Sequence, residues 1–237
     1  MELRSNPLSP GSHISAPRAV FHAGMVAALL IAVFSLLLLA PAHGAGAAKP
    51  VQIIAFGDSL TAGLGVAPSA AFPAKLQKAL EAKGIAAEVA NAGVSGDTTS
   101  AGLERLDWAV PDNTDIVIVE LGANDMLRGL PPSAARASLD SIIARLKAKG
   151  TRPVLVGMRS LKNWGQAYAD AFEAIYPALA KKHGIPLYPF FLDGVAARPG
   201  FNQNDGIHPN AQGVDEIVRR LLPTIERVIA EVRRAKG

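Results

Sequence analysis

From residue 51 onward the chain alternates short apolar runs with stretches of helical period, and this alternation constrains the fold more than any other feature. Val51–Phe56, Ala87–Ala90, Asp115–Glu120, Pro153–Gly157 and Pro186–Phe190 read as strands. Ala70–Lys83, Ser100–Trp108, Ser133–Lys149 and Gln166–His183 read as helices between them, and Asn210–Lys236 closes the chain with another. Three helices end on a basic residue followed by glycine, at Lys83-Gly84, Lys149-Gly150 and His183-Gly184, which is how a left-handed cap looks in a sequence. Strands that each need a helix before the next pair in parallel through right-handed crossovers. The expectation is therefore an α/β fold, a parallel sheet with helices on both faces. In such sheets function collects at the carboxyl ends of the strands, so the residues just past each strand carry the argument.

The first 47 residues are of a different kind. No charged residue falls between Ala23 and Ala48, and Met25–Ala40 is an apolar run preceded by Arg4 and Arg18 and followed by Ala45-Gly46-Ala47. A basic segment, an apolar stretch of this length and an A-x-A site read as a signal peptide over residues 1–47, leaving 48–237 as one domain that is periplasmic or secreted. The alternative is an uncleaved inner-membrane anchor, because the uncharged stretch is barely long enough to span a bilayer. The chain has no cysteine, which excludes disulfides, a thiol nucleophile and thiolate-held metals. Its formal charge is only +4, with no Lys/Arg block longer than a pair, so nothing points to a nucleic-acid partner.

Four strand ends carry polar residues. After the first comes Gly57-Asp58-Ser59-Leu60, with Gly63 beyond: a turn that presents the Ser59 hydroxyl near a helix start, either as a nucleophile or merely as an N-cap. After the second comes Asn91–Asp97, rich in glycine, which either offers backbone N–H groups or is an ordinary turn. After the third, Asn124 offers an amide and Asp125 could cap the turn. Of five histidines, three precede residue 48, and His183 reads as a solvated cation at a helix end, leaving His208 for chemistry. Asp205, three residues earlier, can fold back to accept from its Nδ1–H and leave Nε2 to take a proton; a loop histidine capped by a neighbour is the plainer alternative.

Acyl transfer through serine needs a nucleophile, a base, an orienting carboxylate and oxyanion donors, and each has one natural candidate here. The Gly-x-Ser-x-Gly elbow, a Walker loop and a complete dinucleotide loop are absent. Two histidines in the domain and no cysteine argue against a bound zinc or iron. No cofactor is expected.

Gly57-Asp58-Ser59-Leu60, Gly93 in its turn, Gly122-x-Asn124-Asp125 and Asp205-x-x-His208 resemble, in order, the four blocks of the SGNH (GDSL) hydrolases. The resemblance runs from about Val51 to the last helix. Val119–Asp125, Phe172-x-x-Ile175-Tyr176-Pro177 and Asp205–Asn210 are similar to the bacterial secreted arylesterase, thioesterase I and lysophospholipase subgroup. The resemblance implies Ser59 as nucleophile, His208 as base and Asp205 as its partner, with an oxyanion hole from the N–H of Ser59, the N–H of Gly93 and the amide of Asn124. It also implies a three-layer α/β/α sandwich around a five-stranded parallel sheet of flavodoxin-like order 2-1-3-4-5. One departure is Lys162, which stands where relatives often have proline before an Asn-x-Gly turn, and it bears on the shape of the acyl-side wall.

Met126, Leu127, Leu130, Leu161 and Trp164 follow the third and fourth strands and are expected to line an acyl pocket, loop packing being the alternative. The function expected is an exported ester or thioester hydrolase acting on fatty-acyl esters, thioesters or lysophospholipids. A carbohydrate O-acetylesterase on the same fold and a catalytically idle binding module are the alternatives. Membrane contact is expected only through the leader or a lipid substrate.

Overall fold

In the computed structural model, which describes residues 49–236, the apolar runs form β1 (Val51–Gly57), β2 (Ala87–Gly93), β3 (Ile116–Glu120), β4 (Arg152–Val156) and β5 (Leu187–Tyr188). The leader read from the sequence lies outside the described residues. All strand pairs are parallel, in the order β2-β1-β3-β4-β5. The central strands are buried along almost their whole length, as strands covered on both faces must be. Gly57 stands beside both Gly93 and Glu120, and Glu120 beside Val156, so the carboxyl ends of four strands are level.

The helices are α1 (Ser59–Ala62), α2 (Phe72–Ala82), α3 (Thr99–Ala109), α4 (Ala123–Leu127), α5 (Pro132–Ala148), α6 (Gln166–Glu173), α7 (Ile175–His183) and α8 (Ala211–Lys236). On one side α2 packs against α8; on the other α3 packs against α5, and α5 against α7. The chain thus leaves β1 on one face and β3, its neighbour, on the other. Between them a crevice opens at the carboxyl edge, and the segments after both strands enter it.

Local chemistry explains the element ends. At all three Lys-Gly or His-Gly sites the glycine has positive φ, and the next N–H reaches back five residues, from Ile85 to Leu80, Thr151 to Leu146 and Ile185 to Ala180. This closes the last turn as the sequence predicts. The Asn210 side chain accepts from the N–H groups of Gln212 and Gly213, both at 3.0 Å, and so caps α8. Pro223, which has no N–H to offer the Arg219 carbonyl, sits on the exposed side of that helix.

Two elements differ from expectation. Gln166–His183 is two helices broken at Ala174, because Pro177 has no N–H for the carbonyl four residues back and fits only in a first turn. The last strand is cut to two residues by Pro186 and Pro189, neither of which can donate to the ladder.

Arg105 of α3 is buried and ties the ends of two strands together. Its guanidinium donates to the carbonyls of Gly57 (2.8 Å) and Ala92 (2.9 Å) and to Asp97 (2.5 Å), and it lies over the Phe56 ring. Removing it leaves the largely covered Asp97 carboxylate without its partner and takes a donor from the carbonyls of Gly57 and Ala92. Arg105→Met is expected to lower unfolding free energy by about 3 kcal/mol. Chemical denaturation checks this, and a loss within 0.5 kcal/mol, roughly what a plain surface site gives, would show that the clamp is dispensable.

Candidate active site

β1 must end on glycine. A Cβ on Gly57 would overlap Thr61 Oγ1 and stand 2.5 Å from the Glu120 carbonyl oxygen. Asp58 then caps the single-turn helix α1, its Oδ1 accepting from the N–H of Leu60 at 3.0 Å, and Gly63 closes the turn in the left-handed region. Ser59, at the start of α1, is held with its Oγ 2.9 Å from Nε2 of His208, although 149 residues separate them. Nδ1 of His208 lies 2.6 Å from Asp205 Oδ2. Asp205 Oδ1 accepts from the backbone N–H groups of Ile207 (2.9 Å) and His208 (3.0 Å), which fixes the loop in the conformation that returns the ring to its carboxylate. The N–H and the ring of His208, with the N–H of Ile207, hold the Asp205 carboxyl down at about 2, so it stays ionised across the neutral range.

The other histidine of the domain is not the solvated cation expected from its place at a helix end. His183 is largely covered and pairs through Nε2 with Asp140 of α5, which also binds Lys182. Its role is to fasten α7 to α5.

Three candidate oxyanion donors were read from the sequence. The backbone N–H of Ser59 has no partner among the described residues, and Asn124, in α4, faces the same point from the end of β3. Gly93 is placed differently from the expectation. β2 runs on to include it, its N–H is taken by Asn91 Oδ1 at 2.9 Å, and it packs so tightly on α1 that a Cβ would overlap the backbone of Ala62. Gly96, three residues on, lines the cleft with φ +89°, and its N–H has no partner among the described residues. The glycine whose N–H is available is therefore Gly96.

Beneath the serine lie two buried carboxyls. Asp58 Oδ2 accepts from Asn124 Nδ2 at 3.2 Å, leaving the second amide hydrogen to point elsewhere. Glu120 is fully buried, with Oε2 accepting from Thr61 Oγ1 at 2.7 Å and Oε1 without a partner among the described residues. Burial first, then the neighbouring Asp58 charge, push the Glu120 carboxyl well up, against the lowering effect of its hydrogen bonds from Thr61 and the backbone. Burial also raises Asp58, to about 6, against the lowering effect of its Leu60 and Asn124 hydrogen bonds.

The segment carrying Asn124 is braced from behind by aromatic side chains spaced four residues apart, Trp164, Tyr168, Phe172 and Tyr176, each ring packed on the next. Three of them donate to its backbone: Trp164 Nε1 to Met126 O at 2.9 Å, Tyr168 OH to Leu130 O at 2.9 Å and Tyr176 OH to Leu121 O at 3.0 Å. On the other side Asp125 accepts from both the N–H and the Oγ1 of Thr99, so the polar residue expected to cap its own turn caps α3 instead.

Ser59, Asn124 and His208 open into a cleft of about 460 Å³, a size suited to a small ligand. Met126, Leu127 and Leu161 line it as expected. Leu130 and Trp164 stand outside the lining: the turn after α4 carries Leu130 away, and Trp164, from the turn after β4, packs its ring against Gly129. Leu64, Phe190, Leu192 and Ile207 complete the apolar wall and Arg159 stands at its edge. Nothing in the sequence marks Phe190 and Leu192, which sit in the irregular segment after β5. A cavity of about 500 Å³ at the amino edge is lined by charges already paired with each other, Arg152 with Glu231 and Asp115 with Lys236.

Residues 55–215 match the GDSL-like Lipase/Acylhydrolase family. The chain is 40% identical over 184 residues to the Escherichia coli protein named thioesterase 1/protease 1/lysophospholipase L1, covering 76% of this chain and 87% of that one. It is 39% identical over 162 residues to an arylesterase of Vibrio mimicus, covering 68% and 81%. The crystal structure of AlinE4, an SGNH-hydrolase family esterase, is similar with a TM-score of 0.64 at 46% identity, over 76% of this chain and 96% of that one.

The buried Asp58 carboxyl makes a pH-dependent difference measurable. Because its folded value is raised from 3.8 to about 6, the ionised form opposes folding above pH 6, and the opposition is gone below about pH 4. Relative to wild type, Asp58→Asn should therefore gain in Tm as pH rises from 4 to 7. It should at the same time lose about ten- to a hundredfold in kcat, because an amide facing the Asn124 amide no longer orients that donor. A Tm difference independent of pH would show that Asp58 is not the group titrating.

Proposed function

The chain belongs to the GDSL-like lipase/acylhydrolase family and is an ester or thioester hydrolase, and from that premise we propose that it works through an acyl-enzyme on Ser59 and acts on acyl esters or thioesters of medium chain length. The observation that carries the proposal is the continuous chain from Ser59 Oγ through His208 to Asp205, at 2.9 and 2.6 Å, at the floor of an apolar cleft. Ser59 Oγ attacks the acyl carbonyl carbon as its proton passes to Nε2 of His208. The imidazolium so formed is held by the Asp205 carboxylate. The carbonyl oxygen becomes an oxyanion that accepts from the N–H of Ser59, the N–H of Gly96 and the free amide hydrogen of Asn124. Collapse expels the alcohol or thiol, which takes the proton from His208. Water, deprotonated by the same ring, then releases the acid and restores the serine.

The wall formed by Leu64, Met126, Leu127, Leu161 and Ile207 favours an alkyl chain over an acetylated sugar, which would leave its hydroxyls facing apolar side chains. The chain is further proposed to be exported through residues 1–47 and to act in the periplasm or outside the cell. No helix among the described residues is long and apolar enough to cross a membrane. Recovery from the periplasm of a form starting near Ala48 would support export, whereas an intact leader in the membrane fraction would support an anchor.

Ser59→Ala is expected to lose about 10³-fold or more in kcat and all labelling by a fluorophosphonate. Asn124→Ala is expected to lose about 10²–10³-fold in kcat with little change in KM, the mark of an interaction made in the transition state. A tenth of wild-type turnover in a folded Ser59→Ala protein would sink the mechanism. Each buried methylene is worth about 0.8 kcal/mol, or roughly fourfold, so kcat/KM should climb by tens of fold from acetyl to medium-chain esters and then level off. Leu127→Ser should flatten that climb and spare acetyl esters. A flat profile in wild type, or preference for acetylated sugars in direct competition, would favour the carbohydrate esterase.

A further inference from the structure

Seven large apolar side chains stand exposed among the described residues, and six of them belong to the carboxyl edge of the sheet. Leu64, Val94, Leu127, Leu161, Trp164 and Ile207 are each between 37% and 54% exposed. The seventh, Trp108, lies at the far end of α3. Single exposed apolar residues are ordinary, but six gathered around one mouth are not. Four of the six also line the cleft, so the apolar surface outside is continuous with the wall inside.

The same loops carry Arg128, Arg159, Lys162 and Arg198, and among the described residues none of these is ion-paired to a carboxylate. Arg128 donates to the Gly96 carbonyl, Arg159 lies over the Phe190 ring, and Arg198 lies over Phe201 and donates to the Gly194 carbonyl. Of the acidic groups of this edge, Asp97 pairs with Arg105, Asp193 with Arg220 and Asp205 with His208, while Asp125 accepts from Thr99, Asp170 from Gln166 and Glu173 from the N–H of Ser160. Among the described residues an apolar ring remains, interspersed with four cations that no carboxylate pairs.

We propose that this edge docks on an anionic phospholipid surface, with the cleft mouth turned to the bilayer so that an acyl chain passes from the lipid into the cleft. The charge selects this occupant. Pairing two copies edge to edge about a twofold axis would bring the same four cations face to face, whereas an anionic membrane meets all of them while the apolar ring enters the headgroup boundary. The proposal rests on the acyl-cleft reading only for what enters the cleft; binding itself is measured separately.

The test uses the full chain with Trp108→Phe, which leaves Trp164 as the single indole, since the chain has two tryptophans. Vesicles of phosphatidylcholine with phosphatidylglycerol should shift the Trp164 emission to the blue, and phosphatidylcholine alone should do so far less. The leader contains no tryptophan and is common to every variant, so the shift reports this edge. Lys162→Glu combined with Arg198→Glu should raise the lipid concentration at half-shift by more than tenfold, each basic side chain near such a surface being worth about fivefold. Hydrolysis of a soluble acetyl ester should not change. No blue shift with anionic vesicles, or a shift indifferent to vesicle charge and to the double substitution, overturns the proposal. So does a dimer in the absence of lipid in which Trp164 is already blue-shifted and which Trp164→Ser dissociates. Loss of hydrolysis in Ser59→Ala with the shift intact leaves docking standing, and absence of hydrolysis in wild type would count against the acyl-cleft reading alone.

Discussion

A carboxylate held between two neighbouring strands connects the parts of this site. Asp58 follows the last residue of β1, and Asn124 lies just beyond β3. Because these strands send their chains to opposite faces, the two segments meet in the crevice between them. One carboxylate can therefore cap the helix that carries Ser59 and orient the amide that faces it. Ionising a group so deeply buried is unfavourable, and a second charge on Glu120 would make it more so. Burial accordingly pushes both carboxyls up, Asp58 to about 6 and Glu120 well above its usual range. Glu120 accepts from the Thr61 hydroxyl, and the absence of a side chain on Gly57 leaves room for both.

Much of this was legible in the sequence, for reasons that also mark the limit. Apolar runs of five or six residues can only be buried strands in a chain that alternates so regularly, and the Gly84, Gly150 and Gly184 caps follow from backbone sterics alone. The serine, histidine and aspartate are distinguished by being the reactive residues at strand ends. Gly93 and Gly96 are another matter, because both lie in one glycine-rich turn and nothing in their spacing says which N–H is free. The answer depends on where β2 stops, and Asn91 decides that by turning its side chain onto the Gly93 N–H. A polar residue inside a strand that faces solvent looks like the beginning of a loop, which is why the strand appears three residues shorter than it is. Leu130 escaped for a related reason: a short helix and a left-handed glycine reverse the chain between Leu127 and Leu130, and sequence adjacency does not survive such a reversal; Trp164 escaped because its ring turns onto Gly129 and its N–H onto the Met126 carbonyl. The pairing of Glu120 with Asp58 had a weak signal, an acid closing an otherwise apolar strand beside a glycine.

The supports of the site come from several directions. Arg105 holds the ends of β1 and β2, Asp125 ties the segment after β3 to the start of α3, and the aromatic side chains brace that segment from the β4 side. Each support ends on a backbone carbonyl or N–H at or just past a strand end, where a parallel sheet has polar groups in need of partners. These contacts hold rigid the edge at which the substrate is bound.

The aromatic brace has a consequence for how selectivity in this enzyme can change. Asn124 and the acyl-wall residues Met126 and Leu127 lie on a single five-residue helix that is gripped through the carbonyls of Leu121, Met126 and Leu130. Widening the wall by shifting that helix would carry the amide with it, so on this side chain-length preference and turnover are mechanically coupled and trade against each other. Leu161, by contrast, reaches the cleft from a different segment and supports no oxyanion donor. Variation there can reshape the wall while the rate machinery stays in register, which makes the β4 side the route by which new substrates could be acquired without sacrificing speed.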